Sequence, residues 1–231
     1  MKKYSIIIPT LNEAQGVVAF LEPLQSLRTQ CEIIIADGGS TDATANLAQA
    51  SIDLFLTCDK KGRALQMNQG AKHANAEILI FLHADTFLPE SALQHIGIGI
   101  DKGHQWGRFD MQLMGKHSFL KVISFMMNWR SRLSGIATGD QAIFVSKSSF
   151  DAVGAYPEIA LMEDIALSKQ LKKITAPYCI HQAVQSSARR WESFGIGRTI
   201  LLMWYLRLRY FLGTPAEELA DMYRKGCFKV G

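Results

Sequence analysis

Short apolar runs alternate with amphipathic segments through the first half of the chain. The pattern predicts strands at 5–9, 32–37, 54–58 and 78–83, and helices at 14–28 and 63–74 with a further helix that ends at Gln49. Strands and helices in regular alternation form a parallel sheet through right-handed crossovers. The first half of the chain therefore predicts an α/β fold, with a Rossmann-like, mostly parallel sheet and helices on both faces.

The run from Ile78 to Leu82 is the most informative segment, because it is purely apolar and is followed at once by His83 and Asp85. A short run that is apolar on both faces is typical of a central strand in a parallel sheet. Open α/β sheets bind ligands at the carboxyl ends of their strands. Asp85 is therefore expected where a metal ion and a phosphate group would be held.

The regular alternation stops near Asp85, and strands are next predicted at 106–114 and 141–146. Farther along, the apolar segment 196–213 is interrupted by three arginines. A membrane-spanning helix needs about 20 residues with few charges, so this segment is too short and too charged to cross a bilayer. We expect an amphipathic helix that packs on the domain, forms a dimer interface or lies in a membrane surface, in that order of preference.

The composition fits one compact domain with a C-terminal extension. The chain has 231 residues, of which 48% are hydrophobic, enough for a sizeable core. Its four cysteines show no spacing typical of metal ligation or redox pairing, and no secretory signal precedes the first strand. We therefore expect reduced thiols in a cytoplasmic protein.

The net charge of +4 is unevenly distributed, since residues 1–181 carry 17 basic and 17 acidic side chains and residues 182–231 carry 8 and 4. The stretch 112–139 has no acidic residue at all. Its basic side chains are those of Lys116, Lys121, Arg130 and Arg132. Basic and aromatic residues together suit a phosphate-rich ligand or an anionic membrane surface, although an ordinary solvated helix face with a buried aromatic stripe has the same pattern.

Carboxylates follow three of the predicted strands. The first strand leads into Glu13, the second ends at Asp37 and the fourth leads into Asp85. Because the strands are parallel, these side chains are expected at one edge of the sheet. Like charges in a cleft repel each other unless a cation or hydrogen-bond donors neutralise them, so the sequence predicts a divalent metal there.

Four motifs in a fixed order carry a family resemblance. They are Ser-Ile-Ile-Ile-Pro-Thr-Leu-Asn-Glu at 5–13, Asp-Gly-Gly-Ser-Thr-Asp at 37–42, His-Ala-Asp at 83–85 and Glu-Asp at 163–164. Together they resemble glycosyltransferase family 2, the inverting enzymes with the GT-A fold. Within that family, the segment 62–71 and the Arg190-Trp191 pair resemble a small bacterial subset labelled as arsenosugar-biosynthesis-type, radical-SAM-associated transferases.

The resemblance implies transfer of a sugar from a UDP- or GDP-sugar to an unidentified acceptor, with Mg²⁺ or Mn²⁺ as cofactor. It implies a GT-A domain at 1–195, made of a nucleotide-sugar half (1–85) and an acceptor half (86–195), followed by a helical extension at 196–231. The expected partners are the nucleotide sugar and a phosphorylated or lipid-linked acceptor, with a homodimer and the inner membrane surface as further candidates. Nucleic acid is not expected.

On the donor side, the resemblance implies that Asp37 accepts a hydrogen bond from the imide nitrogen of the base, which favours uracil or guanine over adenine. Asp85 resembles the metal-binding aspartate of the family's Asp-x-Asp motif, whereas His83 stands in place of the first aspartate. His83 could bond the ribose, orient a neighbouring group or be a plain structural histidine, and Arg63 could be a surface arginine without a ligand. The expected donor-side residues are Pro9, Thr10, Asn12, Glu13, Asp37, Gly38, Arg63, His83 and Ala84.

On the acceptor side, the resemblance implies that Asp164 is the general base, with Glu163 beside it. Both acids begin a helix-like stretch that runs to residue 171, where a plain capping role would also explain Asp164. Asp140 is the reserve candidate for the base. Arg190 and Trp191 are expected on the acceptor side.

Other classes lack their own signatures in this chain. No Gly-x-Gly-x-x-Gly loop follows the first strand, which argues against a dinucleotide-dependent dehydrogenase, and the six histidines have no zincin-like spacing. A sugar-phosphate nucleotidyltransferase would also need a glycine-rich loop at that place. The main rival is a non-catalytic nucleotide-sugar-binding module, which would keep Asp37 and tolerate loss of Asp85 or Asp164.

Overall fold

The computed structural model describes residues 2–228, so the first residue of the predicted domain and residues 229–231 of the predicted extension lie outside the described part. The strands are β1 (Tyr4–Thr10), β2 (Cys31–Asp37), β3 (Leu54–Thr57), β4 (Ile78–Phe81), β5 (Thr86–Phe87), β6 (Trp106–Met114), β7 (Ile143–Ser146) and β8 (Tyr178–Ser187). The helices are α1 (Val17–Leu21), α2 (Thr44–Ala48), α3 (Arg63–His73), α4 (Ala92–Asp101), α5 (Phe119–Ser134), α6 (Lys147–Ala152), α7 (Glu163–Leu171), α8 (Arg189–Phe194), α9 (Ile196–Phe211) and α10 (Ala216–Lys225).

The strands form one sheet in the order β3-β2-β1-β4-β7-β6-β8-β5. The first four in this order are mutually parallel, and β6 and β8 are also parallel, whereas β7 runs antiparallel to both of its neighbours and β5 runs antiparallel to β8. The predicted α/β class with a mostly parallel sheet is therefore confirmed. The carboxyl ends of β1, β2 and β4 therefore lie at the same edge of the sheet, as was predicted from the acidic residues that end or follow these strands.

The core lies on both faces of this sheet, which explains why the central strands are uninterrupted apolar runs. Along β1, Ile6 and Ile8 contribute to one cluster and Ile7 to the other, and all three are fully buried. The first cluster is covered by α1, α4 and α5, and the second by α3, α6 and α7. Each such side chain contributes about 1.5–3 kcal/mol by its burial, so the sheet holds the site edge rigidly.

Two predicted elements are wrong in detail. The single helix predicted at 14–28 is divided into α1 and a 3-10 turn over Pro23–Leu27, because proline has no N–H to donate within a helix. The fourth strand ends at Phe81 rather than residue 83, although the Leu82 N–H still donates to Ile7 O at 3.0 Å. His83 therefore begins the loop instead of ending the strand.

The C-terminal helices pack on the domain, which was the preferred alternative for this segment. Leu202 and Leu206 of α9 form a third buried cluster with Met162 and Ile165, which bracket the Glu163-Asp164 pair, and with residues of α10. Between residues 2 and 228, no helix has both the length and the apolar character needed to span a membrane. The extension thus lies directly against the element that carries the expected base.

Candidate active site

Asp37 anchors the loop that follows β2. Its carboxylate accepts hydrogen bonds from the hydroxyls of Thr10 (2.9 Å) and Ser40 (2.6 Å) and from the backbone N–H groups of Gly39 (2.9 Å) and Ser40 (2.7 Å). The side chain is only 3% exposed. These four internal donors account for the position of Asp37, and a bond to a base imide, which stays a prediction, would have to be shared with one of them.

The loops after β1 and β2 are joined by a reciprocal pair of hydrogen bonds. The Asn12 N–H donates to Ser40 Oγ at 2.7 Å, and Asn12 Oδ1 accepts from the Thr41 N–H at 2.9 Å. Asn12 has φ 55°, in the left-handed region that asparagine tolerates better than most residues. The expected donor residues at the ends of these strands, Pro9 and Gly38 included, are thus brought together.

Gln66 of α3 braces the same two loops, and the sequence reasoning assigned it no role. Its side-chain amide donates to the Thr10 and Ala36 carbonyl oxygens, both at 2.8 Å, and it is 4% exposed. Gly38 passes so close to this amide that a Cβ there would lie 3.2 Å from it. A long polar side chain on the buried face of a helix is the signal that could have identified Gln66.

Asp85 lies in the loop after β4, and its side chain is 36% exposed. Ala84, which precedes it, is half-buried. Arg189, at the start of α8, reaches Asp85 Oδ2 at 3.4 Å and Glu13 Oε2 at 3.8 Å. Burial raises the pKa of Glu13, Arg189 opposes that rise, and Asp85 and Asp42 add to it. Arg189, which the sequence reasoning did not single out, therefore bridges the two carboxylates.

The residues here fit a divalent cation only when it binds together with a substrate. No group of three or more His, Cys, Asp or Glu side chains suited to holding a metal occurs among residues 2–228. Mg²⁺ commonly binds through one or two carboxylates plus the phosphates of its substrate, and Asp85 with Glu13 nearby offers such a set. The predicted third carboxylate, Asp37, is instead committed to its loop.

The His83 ring lies against Gly139. A Cβ on Gly139 would be 2.4 Å from His83 Cε1, so only glycine lets the ring approach this closely. The His83 Nε2 atom is buried and has no hydrogen-bond partner within the described residues. Burial, together with the charge of Arg63, lowers the pKa of His83 to about 4, so the ring is neutral at pH 7.

Gly139 connects this histidine with Asp164. The Gly139 N–H donates to Asp164 Oδ2 at 2.9 Å, and the Ile165 N–H donates to Asp164 Oδ1 at 2.7 Å. Asp164 lies in the first turn of α7, where the helix dipole also favours a carboxylate. The half-buried Asp164 is therefore fixed in position by two backbone donors, one from its own helix and one from the loop that contacts His83.

Glu163 and Asp140 lie on either side of Asp164 and have raised pKa values. Glu163 is buried, its nearest cation is Arg63 at 4.0 Å, and burial together with the charge of Asp164 raises its pKa to about 7. Burial also raises the pKa of Asp140, and Asp164 adds to that rise while the Thr138 hydroxyl, which donates to Asp140 at 2.5 Å, opposes it. All three predicted candidates for the base thus belong to one cluster.

Arg63 and Arg190 point toward the helical extension. Arg63 lies near Glu163 and also interacts with Tyr223 of α10. The Arg190 guanidinium stacks over the Tyr223 ring, 3.5 Å from its centroid, and donates to the Tyr223 carbonyl oxygen. Trp191 packs against the main core. The donor role of Arg63 and the acceptor roles of Arg190 and Trp191 stay predictions.

Comparison with known proteins decides the family. The profile described as Glycosyl transferase family 2 matches residues 5–123, slightly more than half of the 231 residues. The chain belongs to glycosyl transferase family 2. The predicted family is thereby confirmed, and with it the enzyme class, glycosyltransferase.

Individual relatives agree with this assignment. Succinoglycan biosynthesis protein ExoA of Rhizobium meliloti (strain 1021) is 28% identical over 224 residues, which cover 84% of this chain and 67% of ExoA. S. aureus TarS 1–349 in complex with UDP-GlcNAc has a TM-score of 0.62 and 17% identity, covering 81% of this chain and 58% of that one. Mannosyltransferase PcManGT from Pyrobaculum calidifontis, in complex with GDP-Man and Mn²⁺, has a TM-score of 0.66 and 16% identity, with 89% and 61% covered. The chain spans less than two thirds of both solved chains, whose likeness establishes the GT-A-like fold.

Proposed function

We propose that this family 2 chain is a metal-dependent inverting glycosyltransferase that uses a UDP- or GDP-sugar, with Asp164 as its general base. The observation that carries the proposal is the continuous connection from Asp85 through His83 and Gly139 to Asp164. This connection fixes the position of the partly exposed Asp85 carboxylate relative to the Asp164 carboxylate, which two backbone N–H groups hold in place. The bound UDP-GlcNAc of TarS and the bound GDP-Man of PcManGT support a nucleotide sugar as donor.

Inversion requires the acceptor hydroxyl to attack the anomeric carbon from the face opposite the departing diphosphate. Asp164 would take the hydroxyl proton on a carboxylate oxygen as the new bond forms, which is general base catalysis. Its two backbone donors hold the carboxylate in place without neutralising it. Burial raises the pKa values of Glu163 and Asp140, so these two side chains would keep their protons more readily than ordinary carboxyl groups do.

Asp85 would hold Mg²⁺ or Mn²⁺ jointly with the diphosphate, and such an ion stabilises negative charge on a leaving group as a Lewis acid. The Mn²⁺ bound by PcManGT supports this cofactor. Arg189, which reaches both Asp85 and Glu13, would hold these carboxylates in place at the donor edge and add positive charge near the diphosphate. Assignment to the arsenosugar-type subset rests on the segment 62–71 and Arg190-Trp191 alone.

Asp164→Asn tests the base. We expect the variant to bind UDP or GDP as wild type does and to lose donor turnover by about 10²-fold or more, because general base catalysis contributes that much. Turnover of a panel of UDP- and GDP-sugars, with and without Mn²⁺, would be measured beside nucleotide binding by calorimetry. Asp151→Asn, at an exposed position of α6, is the matched control.

The outcomes separate the alternatives. Near-normal turnover in Asp164→Asn together with loss in Asp140→Asn would transfer the role of base to Asp140. Nucleotide binding without metal-dependent turnover of any donor would favour the non-catalytic binding module. Transfer of a nucleotidyl group to a sugar phosphate, with release of pyrophosphate, would favour the nucleotidyltransferase.

A membrane surface is proposed as a further partner of a cytoplasmic enzyme, on account of exposed apolar side chains on two helices that lack acidic residues. On α5, Phe125 and Trp129 are 65% and 53% exposed, and on α9, Trp204 and Leu208 are 72% and 57% exposed. Co-sedimentation with vesicles of equal parts phosphatidylglycerol and phosphatidylcholine, at low and high salt, tests this partner. Sedimentation velocity of the same samples tests the homodimer.

A further inference from the structure

Two arginines lie beside the expected base without the partners that arginines normally have in a folded protein. The Nε and Nη2 atoms of Arg130, on α5, are inaccessible to solvent and bond to no group within residues 2–228. The Arg207 side chain, on α9, is half-buried and forms no hydrogen bond or ion pair with any side chain or main-chain group of residues 2–228. A guanidinium presents five N–H donors, so leaving several of them buried and unpaired is costly.

The position of this pair follows from how the elements pack. The turn after α5 leads into the 3-10 segment that contains Asp140, and Leu206 next to Arg207 packs with residues on either side of Asp164. Arg130 and Arg207 are close enough to interact electrostatically with each other and with both aspartates. Burial lowers the pKa of Arg130 to about 10, and Arg207 contributes to that lowering, so the Arg130 guanidinium still carries charge at pH 7. Burial also lowers the pKa of Arg207.

Two other buried or half-buried arginines provide a contrast, although the Nε atom of one of them, Arg108, also has no hydrogen-bond partner among residues 2–228. Arg108 and Arg132 both form ion pairs with Asp110, and the Arg132 Nη2 to Asp110 Oδ2 distance is 2.6 Å. Two like charges are thereby joined through one carboxylate. Asp140 and Asp164 interact electrostatically with Arg130 and Arg207, but no described carboxylate forms an ion pair with either arginine, and the two aspartates accept hydrogen bonds from Thr138 and from backbone N–H groups instead.

We infer that Arg130 and Arg207 form an acceptor subsite that binds a phosphate group of the acceptor, next to the Asp164 carboxylate. The inference rests on the proposed function, since it takes Asp164 as the base that the acceptor hydroxyl must reach. A single arginine can satisfy a carboxylate with two parallel bonds, whereas two guanidiniums from different helices suit the three oxygens of a phosphate monoester dianion. The acceptor is accordingly a phosphorylated compound, and α9 completes its site.

The rival interpretation is that the arginines only balance the charges of Asp140 and Asp164. In that case removing one guanidinium leaves excess negative charge and destabilises the fold. If the pair is instead reserved for a ligand, Arg130→Met and Arg207→Met relieve repulsion and unpaired donors, so the variants are as stable as wild type or more so. Stability and phosphate binding together therefore distinguish the two roles.

The test uses the full chain saturated with UDP or GDP and Mg²⁺, so that the donor site is filled. Glycerol 3-phosphate, inorganic phosphate and glycerol are then titrated by calorimetry into wild type, Arg130→Met, Arg207→Met, Arg130→Lys and the control Arg198→Met, an exposed arginine of α9. We expect wild type and Arg198→Met to bind both phosphates but not glycerol. Each Met variant should bind them about tenfold to a hundredfold more weakly, the loss of a charge-assisted hydrogen bond, and Arg130→Lys should be intermediate.

Failure of this inference can be distinguished from failure of the proposed function. Undiminished phosphate binding in the Met variants, or no phosphate binding by nucleotide-loaded wild type, overturns the inference. The charge-balance role is established instead if the Met variants unfold at lower urea concentrations than wild type and Arg130→Lys is as stable as wild type. In that case phosphate should not bind to any of the proteins. Absence of nucleotide binding in wild type counts against the proposed function. Vesicles that contain phosphatidic acid, compared with glycerol 3-phosphate, distinguish a lipid phosphate from a small phosphate ester.

Discussion

Glu163→Gln tests whether the fold buries the carboxyl group of Glu163 at an energetic cost. The side chain is 6% exposed and its nearest cation is 4.0 Å away. Burial, with the neighbouring charge of Asp164, raises the pKa of Glu163 from 4.5 to about 7. Each pKa unit corresponds to about 1.4 kcal/mol, so a rise of about 2.5 units is worth about 3 kcal/mol.

The sign follows from the direction of the shift. A folded-state pKa above the unfolded value means that the protonated acid stabilises the fold, fully below about pH 4.5, and that this contribution is lost as the pH rises through about 7. Glutamine stays neutral throughout. Between pH 5 and 7.5 the difference in unfolding free energy between wild type and Glu163→Gln should therefore move by about 2 kcal/mol in favour of the variant.

Urea unfolding followed by tryptophan fluorescence, at half-unit steps of pH across this window, measures the difference. Glu158→Gln is the matched control, because Glu158 is an exposed glutamate on the approach to α7. Its stability curve should run parallel to that of wild type. Parallel curves for wild type and Glu163→Gln as well would refute the reasoning, since they would mean that Glu163 titrates in the fold as it does in the unfolded chain.

Two further substitutions test the packing that joins the halves of the site. Gly139→Ala places a Cβ 2.4 Å from the His83 ring, and we expect it to lower the unfolding free energy by about 1–3 kcal/mol and to reduce turnover, as urea unfolding and donor-turnover assays will show. An unchanged midpoint would mean that the ring moves freely. Gln66→Leu removes the side-chain donor from the Ala36 carbonyl and from the Thr10 carbonyl, which still accepts from the Gly38 N–H, and a cost of about 1–3 kcal/mol is expected in urea unfolding. Wild-type stability would show that the loops do not depend on Gln66.

The parts of the fold that the sequence predicts well are those with local causes. The strand over Trp106–Met114 and the start of the helix at Arg63 agree with the structure, because alternating apolar side chains and a preceding glycine determine them within a few residues. β8 was not predicted, since its ten residues mix polar and apolar side chains and are stabilised by parallel pairing with β6. That pairing joins residues about 70 positions apart, beyond the reach of local periodicity.

The candidate site likewise has parts with local causes and parts that depend on contacts between distant segments. The acidic strand ends were predicted from position alone, whereas Arg189, Gln66 and the Arg130–Arg207 pair act through contacts between distant segments. Arg207 was noted only as a charge that interrupts an apolar helix. Its place beside Asp164 depends on how α9 packs against α7, which no pattern within either helix specifies.

The buried ring of His83 interacts electrostatically with one base, Arg63, and one acid, Asp85. Asp164 adds to the raised pKa values of both Glu163 and Asp140, and Asp85 lies two residues from His83. An aspartate at 83 would bring a further carboxylate to a place where the buried Nε2 atom of His83 finds no donor among the described residues, and an ionised acid without donors is costly to bury. A neutral imidazole fills the same space against Gly139 without adding charge. A histidine at this position therefore avoids burying a further carboxylate against Gly139, whose N–H donates to Asp164.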